Sequence, residues 1–370
     1  MLSPGKTAWS TSPPAWSGLR RLDGEANEGS TIRRSLFTTQ PSCCSNQGVR
    51  CGSISGTANY ASVLSIDIIG LSLAGMLPSE IGLFQSITKF SIVNNSIFGT
   101  IPSTIGDMTS LKHLDLTFNT LSGTIPSSIA ALTALQVMLL FENRLAGVIP
   151  TSIGALRSLT VLSLDTNSLS GPIPASIGDL TDLVQLSLYI NRLTGTIPSS
   201  LGALQSVTYL NVDSNSLVGT IPSWMGAMTA LGILTLNRNL LTGSIPSSMG
   251  AMTALEALTL NGNSLTGSIP SSFGLLTRLT YLDCSNNLLS GTIPSTFSSL
   301  ESLGGLILQN NFLTMGSATT VPPSTFSLVT QQGNLDLKVN CLAYTSNFVP
   351  SHNTIPTHCR GKETCLFYAY

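Results

Sequence analysis

Charge is scarce in this 370-residue chain: 16 Lys or Arg and 17 Asp or Glu make up 9% of it, against about 25% in an ordinary soluble domain. So thin a basic complement excludes a phosphate-neutralising surface, and with it nucleic acid as a partner. A hydrophobic content of 42% excludes the low-hydropathy, high-charge make-up of a disordered chain. Long apolar runs are missing as well. The longest aliphatic-aromatic run is VMLLF at 137–141, far short of the about 20 residues that a bilayer-crossing helix needs, so no membrane insertion by this chain is predicted. Residues 1–41 are rich in Pro, Ser and Gly and hold no apolar core of the about 7–15 residues found in a secretory leader. This reads either as a cytoplasmic protein or as a start that is not the original one.

What the chain has in excess is Leu, at 57 copies, and Ser plus Thr, at 94. The bias is a repeat. G-x-[IL]-P begins at Gly75 and recurs every 24 residues to Gly291, ten copies without slippage. Four residues before nine of those glycines stands an asparagine (Asn95, Asn119, Asn143, Asn167, Asn191, Asn215, Asn239, Asn263, Asn287), Asn311 adds a tenth, and Leu71 holds the place in the first unit. An L-x-L alternation in each unit, such as Leu162 and Leu164, has the period of two of a strand with one buried face. One short strand cannot bury that face alone, but stacked coils can, each strand pairing in parallel with the next around a leucine interior. A side-chain amide carries donors and an acceptor, so the Asn ladder is predicted to satisfy backbone groups where the chain leaves the strand. Eleven strands at about 4.8 Å give a curved rod on the order of 50 Å long.

The unit LTVLSLDTNSLSGPIPASIGDLTD, residues 159–182, resembles the plant-type leucine-rich repeat, LxxLxLxxNxLxGxIPxxLGxLxx, and the resemblance covers about residues 63–313. It implies an α/β-type solenoid: a right-handed superhelix of about 11 coils of 24 residues, with a parallel sheet on the concave face and 3₁₀ turns on the convex one. A second short extended segment near G-x-I-P is also implied. The domain reading is a flexible segment at 1–41, an N-terminal Cys cap at 42–62, the solenoid at 63–313 and a C-terminal cap at 314–370.

Six cysteines divide three and three between the ends: Cys43, Cys44 and Cys51, then Cys341, Cys359 and Cys365. The ends lie far beyond disulfide reach of about 7 Å between α-carbons, so each cap holds an odd number. CCSNQGVRC at 43–51 resembles the family's cap sequence CCxWxGVxC, with Asn46 in place of the Trp. The resemblance implies a Cys44–Cys51 bridge. Cys341 is assigned to a bridge with Cys359 or with Cys365, which leaves Cys43 and one C-terminal thiol over. Such bridges point to an extracellular or cell-surface location. Cys284, at an inward strand position, reads as a buried free thiol.

No enzyme is predicted. His113 and Asp115 share a strand face, yet there is no G-x-S-x-G elbow, phosphate loop or dinucleotide fingerprint, and no cofactor or metal is expected. The outward strand positions, third, fifth, seventh and eighth in L-x-x-L-x-L-x-x-N, form the candidate ligand face. They carry His113, Asp115, Phe118, Val137, Leu139, Phe141, Glu142, Val161, Asp165, Gln185, Tyr189, Ile190, Tyr209 and Asp213, and then turn small and polar at Thr235, Asn237, Ala257, Thr259, Asn261 and Gly262. Residues 42–313 hold 12 acids and 8 bases, and the outward positions hold six of those acids (Asp67, Asp115, Glu142, Asp165, Asp213, Asp283) and two of the bases (Lys89, Arg238). The coil's net −4 thus sits on this face. Acidity with exposed aromatics predicts a protein or peptide partner, basic or amphipathic, with a polysaccharide as a further reading. The family resemblance implies a role such as the ectodomain of a receptor-like protein or a secreted inhibitor similar to polygalacturonase inhibitors. The column after each repeat glycine, rich in Thr and Ser from Thr100 to Thr292, supports an alternative of ice binding, and a structural wall or matrix protein is a third reading.

Overall fold

The computed structural model describes residues 48–53 and 61–314, together with the two-residue strands Arg20–Arg21 and Leu335–Asp336. The rest of 1–41, Cys43, Cys44, Cys341, Cys359 and Cys365 lie outside the described residues. Two compact units follow one another, Met1–Leu183 and Val184–Tyr370.

The first unit opens with an antiparallel hairpin of Val49–Ser53 and Ala61–Ile69. Parallel strands then recur at the repeat spacing: Lys89–Val93, His113–Asp115, Val137–Leu139 and Val161–Ser163. Their register stacks like on like, with Phe90 beside Leu114, Leu114 beside Met138 and Met138 beside Leu162, all fully buried. A second parallel row runs through Leu73–Met76, Ser96–Thr100, Thr120–Gly123, Arg144–Val148 and Ser168–Pro172. This is the extra extended segment that the family resemblance implies. Arg20–Arg21 pairs antiparallel with the first strand of that row.

The second unit repeats the plan. Its strands Gln185–Ser187, Tyr209–Asn211, Ile233–Thr235, Ala257–Thr259, Tyr281–Asp283 and Gly305–Ile307 pair in parallel, and Leu335–Asp336 adds one more beyond the last coil. Within each unit the repeated strands and turns stack as successive coils of a solenoid, as the repeat resemblance implies.

Between the two rows each coil closes through a five-residue 3₁₀ helix, for example Ser103–Asp107. Its cause is a period-three pattern. Pro102 enters extended at φ −67°, then Ile105, Met108 and Leu111 each donate their N–H to the carbonyl three residues before, at 3.0, 3.2 and 2.9 Å. Three residues per turn puts side chains at i and i+3 on one side, so Ile105, Met108 and Leu111 all point inward at 0% exposure. The second residue after the proline ties neighbouring coils: Ser128 Oγ donates to the Ser103 carbonyl at 2.5 Å, and Ser248 Oγ to that of Ser223 at 2.6 Å. Trp224 occupies that place in its own coil and instead lies against Gly202, where an added Cβ would meet its ring at 3.1 Å.

The repeat glycine is forced twice over. Gly123 has φ +74°, and a Cβ there would stand 2.7 Å from the Thr100 methyl of the preceding coil. Threonine in the column after each glycine thus has a packing role, its methyl filling the space that the next glycine leaves.

The Asn ladder works as the amide chemistry predicts. Asn119 Nδ2 donates to the Ile92 carbonyl, 27 residues back, at 2.7 Å, while its Oδ1 accepts the Ile97 N–H, 22 residues back, at 3.0 Å. Asn95, Asn143 and Asn167 repeat both bonds in the first unit, as do Asn215, Asn239, Asn263, Asn287 and Asn311 in the second. Asn191 donates to the Leu188 and Tyr189 carbonyls of its own coil. Cys284 is free and fully buried, and burial pushes its thiol far above the ordinary range, so it is inert packing. Cys51 is disulfide-bonded, and Cys44, the partner implied for it, lies outside the described residues.

Removing the Asn119 amide leaves buried backbone groups of two coils without partners, at about 1–3 kcal/mol each. Asn119→Ala is therefore expected to lower stability by about 3 kcal/mol in urea denaturation, whereas Thr120→Ala beside it costs less than about 1 kcal/mol. Equal effects would show that the ladder carries no special share.

Candidate functional site

Period-two alternation aims every second strand side chain out of the sheet. In the first unit, cross-strand pairing sets His113 beside Val137 and Val137 beside Val161, and sets Asp115 beside Leu139. Val137, Leu139 and Val161 are half-buried. At the end of these strands the Phe118 and Phe141 rings meet edge to face, with centroids 5.2 Å apart and planes at 81°. Phe118 is 48% exposed, and Glu142 beside it is also exposed. The apolar cluster and its two rings thus sit together on the outward face.

The acids are less free than their spacing implied. Asp165 and Asp213, predicted to face a ligand, are buried at 3% and 9% exposure. Asp165 accepts the Ser163 hydroxyl, and Asp213 is held in a two-pronged ion pair by Arg238 Nε at 3.1 Å and Nη2 at 2.7 Å. The cause is local: carboxylates at the fifth and seventh positions find a hydroxyl two residues along, or a guanidinium 25 residues on. Asp115 likewise accepts the Thr117 N–H at 3.1 Å and its hydroxyl at 2.8 Å, and Asp67 pairs with Lys89. Burial works against the Asp67 charge, yet hydrogen bonds from Lys89 and Ser91 hold its carboxyl below the usual range. Burial pushes the His113 imidazole down, against the pull of Asp115, so it stays neutral at pH 7 and leaves the acidity uncompensated.

By unit, the first face carries Asp67, Asp115, Glu142 and Asp165 against Lys89 alone, while the second carries Asp213 and Asp283 against Arg238. Acidity therefore concentrates in the first unit. On the second, Gln185 is exposed and Tyr189 half-buried, and the Tyr209 hydroxyl accepts from Asn211 Nδ2 at 2.9 Å. Ile233 and Tyr281, each 36% exposed, occupy the same third position as Tyr209 and are neighbours of the outward residues named from the sequence. The repeat phase that singled out Tyr209 could have found them both.

A backbone feature marks the same face. The residue before each ladder Asn is left-handed, from Asn94 at φ 52° to Asn310 at φ 56°. Asn and Gly adopt this conformation readily, but Phe118 (φ 54°) and the β-branched Ile190 (φ 49°) do so at a cost of about 1–2 kcal/mol. Both side chains are presented to solvent, Ile190 at 45% exposure. Glu142, Thr166, Ser214 and Arg238 hold the same conformation, so it belongs to the corner of each coil, and the residue placed there is turned toward the outward face.

Models of the leucine rich repeat match residues 85–145 and 205–265, and a second model with the same description matches 158–180 and 278–300. Among solved structures, the chain is similar to the ectodomain of the plant membrane receptor kinase GASSHO1/SCHENGEN3 from Arabidopsis thaliana, solved in complex with CASPARIAN STRIP INTEGRITY FACTOR 2. That match has 31% identity and a TM-score of 0.79, over 89% of this chain and 41% of that one. It is also similar to the ectodomain of the Arabidopsis receptor kinase HAESA in complex with an N-terminally extended IDA peptide hormone, at 30% identity and TM-score 0.67, over 89% and 56% of the two chains. A plant ice-binding protein matches at 27% identity and TM-score 0.52, over 85% of this chain and 82% of its own. The chain thus spans about half the length of the receptor ectodomains or less. No curated protein matches by sequence.

Ile190→Asn is expected to raise stability by about 1 kcal/mol by relieving the left-handed strain, measured as a shift of the urea midpoint. A loss of stability would show that the Ile190 side chain packs for the fold's benefit.

Proposed function

The chain is a plant-type leucine-rich-repeat protein, and from that premise we propose that it is a non-catalytic recognition module whose outward sheet face binds a peptide or an extended protein segment. The observation that carries the reading is the Phe118–Phe141 edge pair, seated with Val137, Leu139 and Val161 on the acidic first unit. Exposed aromatics beside apolar strand residues supply anchors, and Glu142 and Asp115 favour a ligand that is basic or amphipathic. The similar receptor ectodomains are complexes, one with CASPARIAN STRIP INTEGRITY FACTOR 2 and the other with a peptide hormone, which supports a protein or peptide ligand. The disulfide at Cys51 and those same similarities support an extracellular or cell-surface location; the caps read at 42–62 and 314–370 lie largely outside the described residues. Among the described residues no helix is long and apolar enough to cross a membrane.

A second reading has its own observation. In the second unit Thr194 and Thr196, Val218 and Thr220, Thr242 and Ser244, Thr266 and Ser268, and Ser290 and Thr292 form two exposed columns flanking the repeat glycines, and Thr242 Oγ1 is held by the Gly219 carbonyl at 3.3 Å. Such a hydroxyl array, broken in this unit by Val218, together with the similarity to a plant ice-binding protein, favours ice binding. The first unit interrupts its own columns with Met76, Val148 and Pro172, and the packing of Thr methyls over glycines accounts for Thr without ice.

Screening the purified chain against a library of basic and amphipathic peptides is expected to yield binders that Phe118→Ala with Phe141→Ala weakens about 100-fold, each ring being worth on the order of 1–2 kcal/mol, with the fold intact by circular dichroism. Binding indifferent to both rings would remove the reading. Ice-recrystallisation inhibition by the same protein, lost on Thr220→Tyr, would put the second reading in its place.

A further inference from the structure

The outward face of the second unit differs in kind from that of the first. Its cross-strand row at the third position runs Tyr209, Ile233, Ala257, Tyr281, Gly305, each registered with the next. The Tyr281 ring lies over Gly305, where an added Cβ would stand 2.6 Å from its Cδ2. The glycine thus gives up its side-chain space to the ring, which rests along the sheet as a platform. Beside this row stand half-buried amides and hydroxyls: Thr235 and Asn237 on one strand, Thr259 and Asn261 on the next. Asn237 Oδ1 accepts the Asn261 N–H at 3.2 Å, which fixes its amide with the donor end turned away from that bond. Further along, Asn310 Nδ2 donates to Asn286 Oδ1 at 2.7 Å.

The face also carries less net charge than the first. Asp213 is saturated by Arg238, and Asp283 accepts the Ser285 N–H at 2.9 Å and its hydroxyl at 2.7 Å. One net negative charge, that of Asp283, remains here against an excess of three on the first face, and Ala257 leaves the middle of the face low, while the Arg238 side chain lies against Gly262.

We propose that this face binds a neutral polysaccharide chain, with sugar rings stacked on Tyr281 and Tyr209 and sugar hydroxyls bonded by Asn237 and Asn261. A pyranose ring has an apolar C–H face and a rim of uncharged hydroxyls. An aromatic plane covers the first, and amides that both donate and accept satisfy the second. Tyr209 and Tyr281 stand three strand steps apart, about 14 Å, so the ligand is an oligomer or polymer rather than a single sugar. The inference is independent of the peptide reading, which rests on the first unit.

The test uses the whole chain at about 0.5 M NaCl, where exposed charge attraction is screened. The probes are cellulose and chitin as solids, laminarin, xyloglucan and mannan in affinity gels, and polygalacturonate as the charged control. Retention by at least one neutral polymer is expected. Tyr281→Ala and Asn261→Ala are each expected to weaken it about ten-fold, a loss of one stacking or polar contact, while Tyr281→Phe keeps it. Gly305→Ala, which displaces the ring, should weaken it as well, and Phe118→Ala with Phe141→Ala should leave it unchanged. No retention by any neutral polymer, binding to polygalacturonate alone, or retention indifferent to both Tyr281→Ala and Asn261→Ala would overturn the proposal.

Discussion

The spacing between neighbouring strands governs this molecule. Each coil must present its backbone to the next at hydrogen-bonding distance for the length of each unit, and a chain of loops so close together has polar groups at every corner. The ladder asparagines meet that demand where the chain leaves the strand, since one amide serves the carbonyl 27 residues back and the N–H 22 residues back. On the opposite side the Ser and Thr hydroxyls of the 3₁₀ turns reach the carbonyl 25 residues back. With the corners satisfied, leucine can fill the interior at almost complete burial, and the strand face is released from any structural duty.

That release explains why the two faces diverge in chemistry while their interiors stay alike. In the first unit the outward positions collect two rings, short aliphatics and an excess of acid. In the second they collect amides, hydroxyls and tyrosines, and the carboxylates that remain are tied to Arg238 or Ser285. The same backbone thus displays one apolar, acidic surface and another rich in amides, hydroxyls and tyrosines. Only the left-handed corner constrains both, and it is there that Phe118 and Ile190 depart from the residues the backbone favours.

Much of this could be read from residue order. The 24-residue step, the inward leucines and the ladder asparagines all follow from phase, and the structure places Leu162, Leu164 and Asn119 as phase requires. The 3₁₀ turns were legible too, because Pro102, Ile105, Met108 and Leu111 repeat every three residues, although family resemblance rather than that period pointed to them. The candidate face was legible only in outline. Which columns face outward follows from alternation, but the burial of Asp165 and Asp213 depends on a hydroxyl two residues away or a guanidinium one coil on, and no periodicity distinguishes an engaged carboxylate from a free one. The seating of the Tyr281 ring on Gly305 is a neighbour effect of the same kind.

The offsets of 22, 25 and 27 residues have an evolutionary corollary. Each bond of the Asn and hydroxyl ladders joins the same two places of the repeat in consecutive coils, so excising or duplicating one whole 24-residue module returns each ladder amide, hydroxyl and glycine to a partner of the same kind. Losing or gaining one residue misaligns the Asn ladder, the hydroxyl ladder and the glycine seats in the same stroke. Whole coils are thus the unit in which such a chain can be lengthened or shortened without breaking contacts, because three independent sets of contacts share the 24-residue frame. Ten glycines in unbroken step keep that frame.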